Sequence, residues 1–260
     1  MQEDHLAFTD KGSGYPLVFL HGFCEDRTLW NSFISTFSQT HRVIAPDLPG
    51  FGASHSSMEI LSMEFLAEEV CRLLDHLNIS ECVMIGHSMG GYVALAFAEK
   101  YPEMLHGICL FHSSSYEDSL EKKESRNKTA LFIQKHGVEN FANSFVSPLF
   151  APGNRKKIAE KIKEVERVVK STSAQSIIAA AYGMRDRKDR STLLAEVNFP
   201  VLFISGKEDM AVPVEKTQEQ SLLPKESIVH ILSDTGHMGM LEKEAETIAI
   251  IHSFLTYLHK

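Results

Sequence analysis

The sequence predicts an α/β fold in which a mostly parallel central sheet is flanked by helices and carries an inserted helical cap. Short apolar runs alternate with amphipathic stretches at both ends of the chain, the pattern of a parallel sheet covered by helices. Between about residues 117 and 190 the chain is instead charged and helical, with few strand-like runs. Glycine-rich or polar segments follow several predicted strands, where open α/β sheets place their sites.

In the first part of the chain, four short apolar runs indicate buried strands, each followed by a turn or helix signal. The predicted strands are 17–20, 42–45, 82–85 and 107–111. The predicted helices are 29–38, 62–78, and one that begins after Ser88 and ends at Tyr101-Pro102. The third helix is rich in small and apolar residues, so we expect it to be buried.

The interruption of this alternation predicts an insertion. Four helices are expected within it, at 119–136, 139–147, 155–172 and 174–185, separated by Pro148 and Pro152-Gly153. Alternation then resumes with strands 201–204 and 228–232, and with helices at 214–222 and from about 242. The predicted organisation is a core formed by residues 1–116 and 191–260 and a helical cap, or lid, formed by 117–190.

Composition excludes several classes of function. The 34 acidic and 26 basic residues give a formal charge of −8, which argues against a nucleic-acid partner. No apolar run is long enough to span a bilayer, and the acidic segment 1–5 does not resemble a signal peptide. The cysteines, without CxxC spacing, are expected to be reduced and buried. They are Cys24, Cys71, Cys82 and Cys109. We therefore expect a cytoplasmic protein without membrane association, either a monomer or a homodimer.

A glycine-flanked serine is the first chemical feature. Gly86-His87-Ser88-Met89-Gly90 matches G-x-S-x-G and lies between a predicted strand and a predicted helix. A nucleophile at such a strained turn projects from the sheet edge, and glycines two residues away on either side avoid Cβ clashes. Ser88 is therefore the candidate nucleophile.

Anionic intermediates of acyl transfer need preorganised donors, and the sequence offers two. His21-Gly22-Phe23 follows the first long strand, and Met89 follows the serine. We expect the backbone N–H groups of Phe23 and Met89 to form the oxyanion hole, in which one donor is worth about 3 kcal/mol. His21 is expected to bind nearby loops rather than to react.

An acid and a base follow two later strands. Asp209 comes after strand 201–204 and His237 after the last strand, so the chain order is Ser, Asp, His. The base would take the serine proton, and the acid would hold the base in the correct tautomer. Glu117 or Asp118 stays open as an alternative acid. His87 is expected to be structural, and His112 is a weaker candidate for the base.

Five segments resemble the α/β-hydrolase family across almost the whole chain. They are LVFLHGF (17–23), PDLPGFGAS (46–54), GHSMGG (86–91), GKED (206–209) and TGH (235–237). The resemblance implies that Ser88, Asp209 and His237 form a catalytic triad and that Phe23 and Met89 supply the oxyanion hole. It implies a structural role for Asp47. We expect no cofactor and, since paired ligand spacings are missing, no metal.

The resemblance leaves the substrate open, because this fold hosts many activities. We expect a carboxylesterase for a small-molecule ester of small or medium acyl chain. Its pocket, roofed by the cap, is expected to be lined by Phe145, Ile178, Tyr182, Met184 and Met238. A carbon–carbon bond hydrolase, a lactonase and a cofactor-free perhydrolase are alternatives.

Other relatives fit the sequence less well. Similar dehalogenases carry an aspartate at the position of Ser88, and the similar menaquinone-pathway synthase carries an arginine at the position of Tyr92. A metal-dependent hydrolase would need ligand pairs such as HExxH, and none is present. A non-catalytic receptor or scaffold is the alternative from another class, although it has no physical need for an intact nucleophile, base and acid.

Overall fold

A computed structural model describes residues 6–258. The segment 1–5, on which the expectation about a signal peptide rests, lies outside the described residues, as do residues 259–260. Within the described range, no helix is both long and apolar enough to cross a bilayer. The four cysteines are buried free thiols, as predicted.

Seven strands form one sheet in the described part of the chain, in the order β1-β3-β2-β4-β5-β6-β7. They are β1 (Phe8–Lys11), β2 (Pro16–Leu20), β3 (Arg42–Pro46), β4 (Cys82–His87), β5 (Leu105–Phe111), β6 (Val201–Gly206) and β7 (Ser227–Leu232). All neighbouring pairs are parallel except β1 and β3. The mostly parallel sheet is confirmed. The short, half-exposed edge strand β1 was not predicted, since four residues show too little alternation.

Ten α-helices accompany the sheet within residues 6–258. They are α1 (Asn31–Phe37), α2 (Met63–His76), α3 (Met89–Lys100), α4 (Leu120–Phe145), α5 (Ala159–Ser171), α6 (Ala174–Arg185), α7 (Ser191–Glu196), α8 (Val214–Gln220), α9 (Gly239–Glu242) and α10 (Glu244–Leu258). Ser62 caps α2 by accepting a hydrogen bond from the N–H of Phe65. The short α7 was not predicted.

The core lies on both faces of the sheet. Helix α3 is buried from Met89 to Ala98, as its composition predicts. Against β2, the Phe19 ring packs on Trp30 at a centroid distance of 5.1 Å and on Phe33 and Phe37 at 6.0 Å each. This aromatic cluster anchors the strand that leads into the segment His21-Gly22-Phe23.

Helices α4, α5 and α6 form the insertion between β5 and β6. Helix α4 spans two of the predicted helices, and Gly137, with φ 80°, kinks it at the predicted break. Turns occupy residues 152–158, so α5 begins later than predicted. Pro152 and Gly153 open this turn segment, consistent with their preference for turns. That the insertion acts as a lid stays a prediction.

Candidate active site

Ser88 lies at the sharp turn between β4 and α3. Its backbone has φ 49° and ψ −111°, a conformation that is costly for a residue with a Cβ. The N–H of Ser88 donates to the carbonyl of Phe111 at 2.9 Å, which ties the turn to β5. A Cβ on Gly86 would lie 2.4 Å from the carbonyl oxygen of Gly90, and one on Gly90 would lie 2.4 Å from that of Leu20. Both glycines are therefore required by close backbone approach.

Asp209 and His237 meet beyond the carboxyl ends of β6 and β7. Oδ2 of Asp209 accepts a hydrogen bond from Nδ1 of His237 at 2.8 Å. The other oxygen, Oδ1, accepts from the N–H groups of Ala211 at 2.8 Å and Val212 at 2.9 Å. Because a carboxylate only accepts, Nδ1 of His237 carries the proton, and Nε2 of the neutral ring is left as the basic nitrogen.

The charges of this pair reinforce each other. Burial alone would raise the pKa of Asp209, but the charge of His237 and hydrogen bonds from His112 and His237 hold that pKa well below its usual value. Burial likewise opposes the charged form of His237, yet the Asp209 charge and hydrogen bond raise the pKa of His237 above 6.5. His237 is thus a stronger base than an isolated histidine, which suits the removal of a serine proton.

A second histidine, His112, binds the same carboxylate, a role that the sequence did not predict. Its Nδ1 donates to Oδ2 of Asp209 at 2.9 Å, and its Nε2 accepts from the N–H of Gly239 at 3.2 Å. Burial lowers the pKa of His112 to about 4, against the opposing effect of Asp209. His112 is therefore neutral, and its Nδ1 holds Asp209. The other histidine on this carboxylate, His237, is the one that lines the cavity.

A buried Glu25–His87 pair supports His237 from behind. Nδ1 of His87 lies 2.9 Å from Oε2 of Glu25, and Nε2 of His87 faces the backbone carbonyl of His237 at 3.0 Å. Glu25 also accepts from the N–H of Gly22 at 2.6 Å. Burial would raise the pKa of Glu25, but His87 and this N–H lower it. The structural role expected for His87 agrees with these contacts, while Glu25 was missed.

The alternative acids lie elsewhere. Asp118 is buried and pairs with Arg126 and Arg187, and Glu117 is half-exposed and pairs with Lys123 at 2.6 Å. Among the residues described, the carboxylate that hydrogen-bonds His237 is that of Asp209.

Two further residues have the structural roles expected of them. His21 accepts a hydrogen bond at Nε2 from the N–H of Leu48 at 2.9 Å. Asp47 accepts from the N–H groups of Arg27 and Ala53, both at 2.8 Å. Both side chains therefore hold loops at the edge of the sheet rather than act on a substrate.

Ser88 and His237 line one small cavity of about 60 Å³. Its other wall residues are Phe23, Glu25, Tyr92, Arg126, Phe145, Leu149, Met184, Ala211 and Val212. Helix α4 and the chain that follows it thus contribute to the wall. Phe23 is part of the wall and Met89 directly follows Ser88, but the oxyanion role of their N–H groups stays a prediction.

Of the five predicted pocket residues, Phe145 and Met184 line this cavity, and their contact with a substrate stays a prediction. The remaining three predicted residues, Ile178, Tyr182 and Met238, are not among the lining residues that the structure describes. Ile178 is half-buried against the core, the ring of Tyr182 packs under Arg185 at 4.5 Å, and Met238 is fully buried. Helical spacing cannot distinguish such packed faces from a cavity wall.

Within residues 6–258, one cluster of side chains has the geometry to hold a metal ion. The ligand atoms of His112, Asp209 and His237 lie within 4.8 Å of one another. Both histidine Nδ1 atoms already donate to Asp209, so mutual hydrogen bonding accounts for their proximity.

Comparison with known proteins agrees with this architecture. A family model described as alpha/beta hydrolase fold matches residues 15–244. An esterase from Thermogutta terrifontis, solved with malate bound, superimposes with a TM-score of 0.94 at 32% identity and covers 98% of this chain and 94% of its own.

Two curated relatives match this chain at lower identity than the esterase does. Lipase 3 of a Moraxella species is 25% identical over 265 residues, which is 98% of this chain and 81% of the lipase. A dihydrolipoyllysine-residue acetyltransferase component of the acetoin cleaving system of Pseudomonas putida is 28% identical over 242 residues, 93% of this chain. The match covers 64% of that protein, so the chain spans less than two thirds of its length.

Proposed function

Because the chain belongs to the α/β-hydrolase family, we propose that it is a serine hydrolase that cleaves carboxylic esters with small or medium acyl chains. The observation that carries the proposal is the Asp209–His237 hydrogen bond of 2.8 Å beside a cavity that Ser88 and His237 line together. The small volume of the cavity favours short acyl chains.

In the proposed mechanism, Ser88 is the nucleophile. Nε2 of His237 takes the hydroxyl proton as Oγ attacks the ester carbonyl, and Asp209 stabilises the imidazolium that forms. The oxyanion is bound by the N–H groups of Phe23 and Met89. Collapse expels the alcohol, which receives the proton from His237, and leaves an acyl group on Ser88.

Water then completes the cycle. His237 removes a proton from a water molecule, which attacks the acyl-enzyme, and the acid product leaves as the proton returns to Ser88. His112 and His87 take no proton in this scheme. They hold Asp209 and the backbone of His237, so that the reacting groups need little reorganisation.

The relatives support a hydrolase of this class. The Thermogutta protein, whose match covers 98% of this chain, is an esterase solved with malate bound. The Moraxella relative is a lipase. An ester substrate for this chain is inferred from these activities together with the geometry around Ser88.

The test is hydrolysis of 4-nitrophenyl esters from acetate to decanoate by the wild type and by Ser88→Ala. We expect an optimum at short or medium chains and a loss of about 10³-fold or more in the variant, with an unchanged thermal unfolding midpoint. Turnover of wild-type size in a folded Ser88→Ala protein would contradict the proposal.

A further inference from the structure

One wall residue of the cavity stands out by its charge. Arg126, on helix α4, lines the cavity together with Ser88 and His237. Most of the wall is apolar or aromatic, formed by side chains such as Phe23, Phe145 and Val212. A guanidinium beside an apolar cavity is costly unless an anion compensates it.

The compensation inside the protein is incomplete. Nε of Arg126 donates to Oδ2 of Asp118 at 3.1 Å, and Nη1 of the buried Arg187 lies 2.7 Å from Oδ1 of the same carboxylate. One negative charge therefore faces two positive ones. Arg187 is committed elsewhere as well, since it donates to the carbonyl oxygens of Met184 and Tyr116.

The terminal nitrogens of Arg126 are still available. Within residues 6–258, its hydrogen bond and ion pair are those made by Nε to Asp118, and a quarter of the side chain is exposed. The Nε contact fixes the plane of the guanidinium and leaves both Nη groups to donate. This pair of donors matches the two oxygens of a carboxylate.

The same wall contains an acidic residue, Glu25, whose carboxylate has other partners than Arg126. Its Oε2 accepts from the N–H of Gly22 and lies against Nδ1 of His87. Among the described residues, no ion pair joins Glu25 to Arg126. The two opposite charges are therefore held by separate partners, and within residues 6–258 the Nη groups of Arg126 have no hydrogen-bond acceptor.

We propose that Arg126 binds a carboxylate of the substrate, so that the preferred substrates are esters that carry a carboxylate on the acyl or the alcohol part. This inference rests on the proposed serine hydrolase activity and names the substrate class for the same site. The apolar walls enclose the rest of the ester and strengthen the ion pair by excluding water.

Pairs of isosteric substrates test the proposal. In the acyl arm, mono-4-nitrophenyl glutarate is compared with 4-nitrophenyl 5-methylhexanoate, in which an isopropyl group replaces the carboxylate. In the alcohol arm, 4-acetoxybenzoate is compared with 4-isopropylphenyl acetate. The readout is the ratio of kcat/KM for the anionic ester to that for its neutral partner.

We expect Arg126→Gln to lower this ratio by about 10- to 100-fold in at least one arm, mainly through KM. Arg126→Lys, which keeps the charge, should retain part of the preference. The matched control is Lys128→Gln, which removes a charge from an exposed ion pair with Glu124 on the same helix and should leave the ratio within about twofold. The arm in which the ratio falls identifies the part of the ester that bears the carboxylate.

A ratio that Arg126→Gln leaves unchanged in both arms would overturn the proposal, and so would an equal loss for both substrates of each pair. The wild type gives a test that is independent of variant folding. Glutarate should inhibit hydrolysis of a neutral ester competitively, with an inhibition constant at least about tenfold lower than that of glutaramide. Equal inhibition constants would also overturn the proposal. If turnover persists in Ser88→Ala, the serine mechanism itself fails; serine-dependent turnover without charge preference contradicts the role of Arg126 alone.

Discussion

Replacement of His112 by phenylalanine probes the part of the site that sequence motifs do not reveal. The substitution keeps an aromatic ring beside Phe111, whose ring lies 5.2 Å away and nearly parallel. It removes the donor to Asp209 and the acceptor for the N–H of Gly239. A hydrogen bond to a charged group contributes about 2 kcal/mol, and an unsatisfied buried N–H costs about 1 kcal/mol or more. The free energy of unfolding should therefore fall by about 3 kcal/mol.

The same substitution has a signature in the pH dependence of activity. With one donor fewer, the negative charge of Asp209 is less dispersed, and this raises the pKa of His237 further. The base must be neutral to act, so activity rises with pH through the pKa of His237. The acidic limb of kcat/KM against pH should therefore move to higher pH in His112→Phe. The plateau rate should fall by about tenfold, because Asp209 retains its bonds from Ala211 and Val212 but loses one anchor.

The control is His112→Asn. Position 112 has φ 50°, which asparagine tolerates better than phenylalanine, and an amide N–H can take the place of Nδ1. This variant should recover part of the stability and move the acidic limb back toward the wild type. The assays are urea unfolding and the pH profile with a short 4-nitrophenyl ester. Backbone strain alone would lower stability without moving the limb, so a stationary limb in His112→Phe refutes the reasoning.

Three further outcomes follow from the geometry. Gly90→Ala should destabilise the fold by about 2 kcal/mol, because its Cβ would lie 2.4 Å from the carbonyl oxygen of Leu20. The control is Gly153→Ala, whose Cβ meets nothing within 4 Å. Thermal unfolding compares the two variants, and equal midpoints would contradict the packing argument. The lowered pKa of Asp209 adds stability that is present above the pKa of the unfolded state, about 3.9, and is lost as pH falls through the pKa of the folded state. Asp209→Asn should lack this loss when its stability is followed during acid titration. Stability curves of the same shape for both proteins would refute this linkage. Dialysis against a chelator should leave turnover unchanged, and loss restored by added zinc would indicate a metal mechanism.

The sequence predicted the features that depend on local pattern. Strand ends, the glycines around Ser88 and the buried helix α3 all follow from short-range rules about periodicity and backbone space. Asp209 was predicted from its place shortly after a strand and from the chain order Ser, Asp, His, and it lies where the sheet order brings it beside His237.

Pairings across the sheet could not be predicted in the same way. His112 and Asp209 are 97 residues apart, and Glu25 and His87 are 62 apart, so their proximity depends on strand order. Because β5 and β6 are neighbours, a polar residue after Phe111 was a usable signal for His112. The wall of the cavity could not be predicted, since the same helical spacing places Met184 on the wall and Tyr182 under Arg185.

Covalent labelling tests the central claim most directly. The protein is incubated with a fluorophosphonate, and intact mass and peptide mapping locate the adduct, with Ser88→Ala and His237→Ala run in parallel. We expect one adduct per chain on Ser88, none in Ser88→Ala, and labelling slowed by about 10³-fold or more in His237→Ala. A wild-type protein that hydrolyses esters but is not labelled at Ser88, or a Ser88→Ala protein labelled at the same rate, would contradict the assignment of Ser88 as the nucleophile.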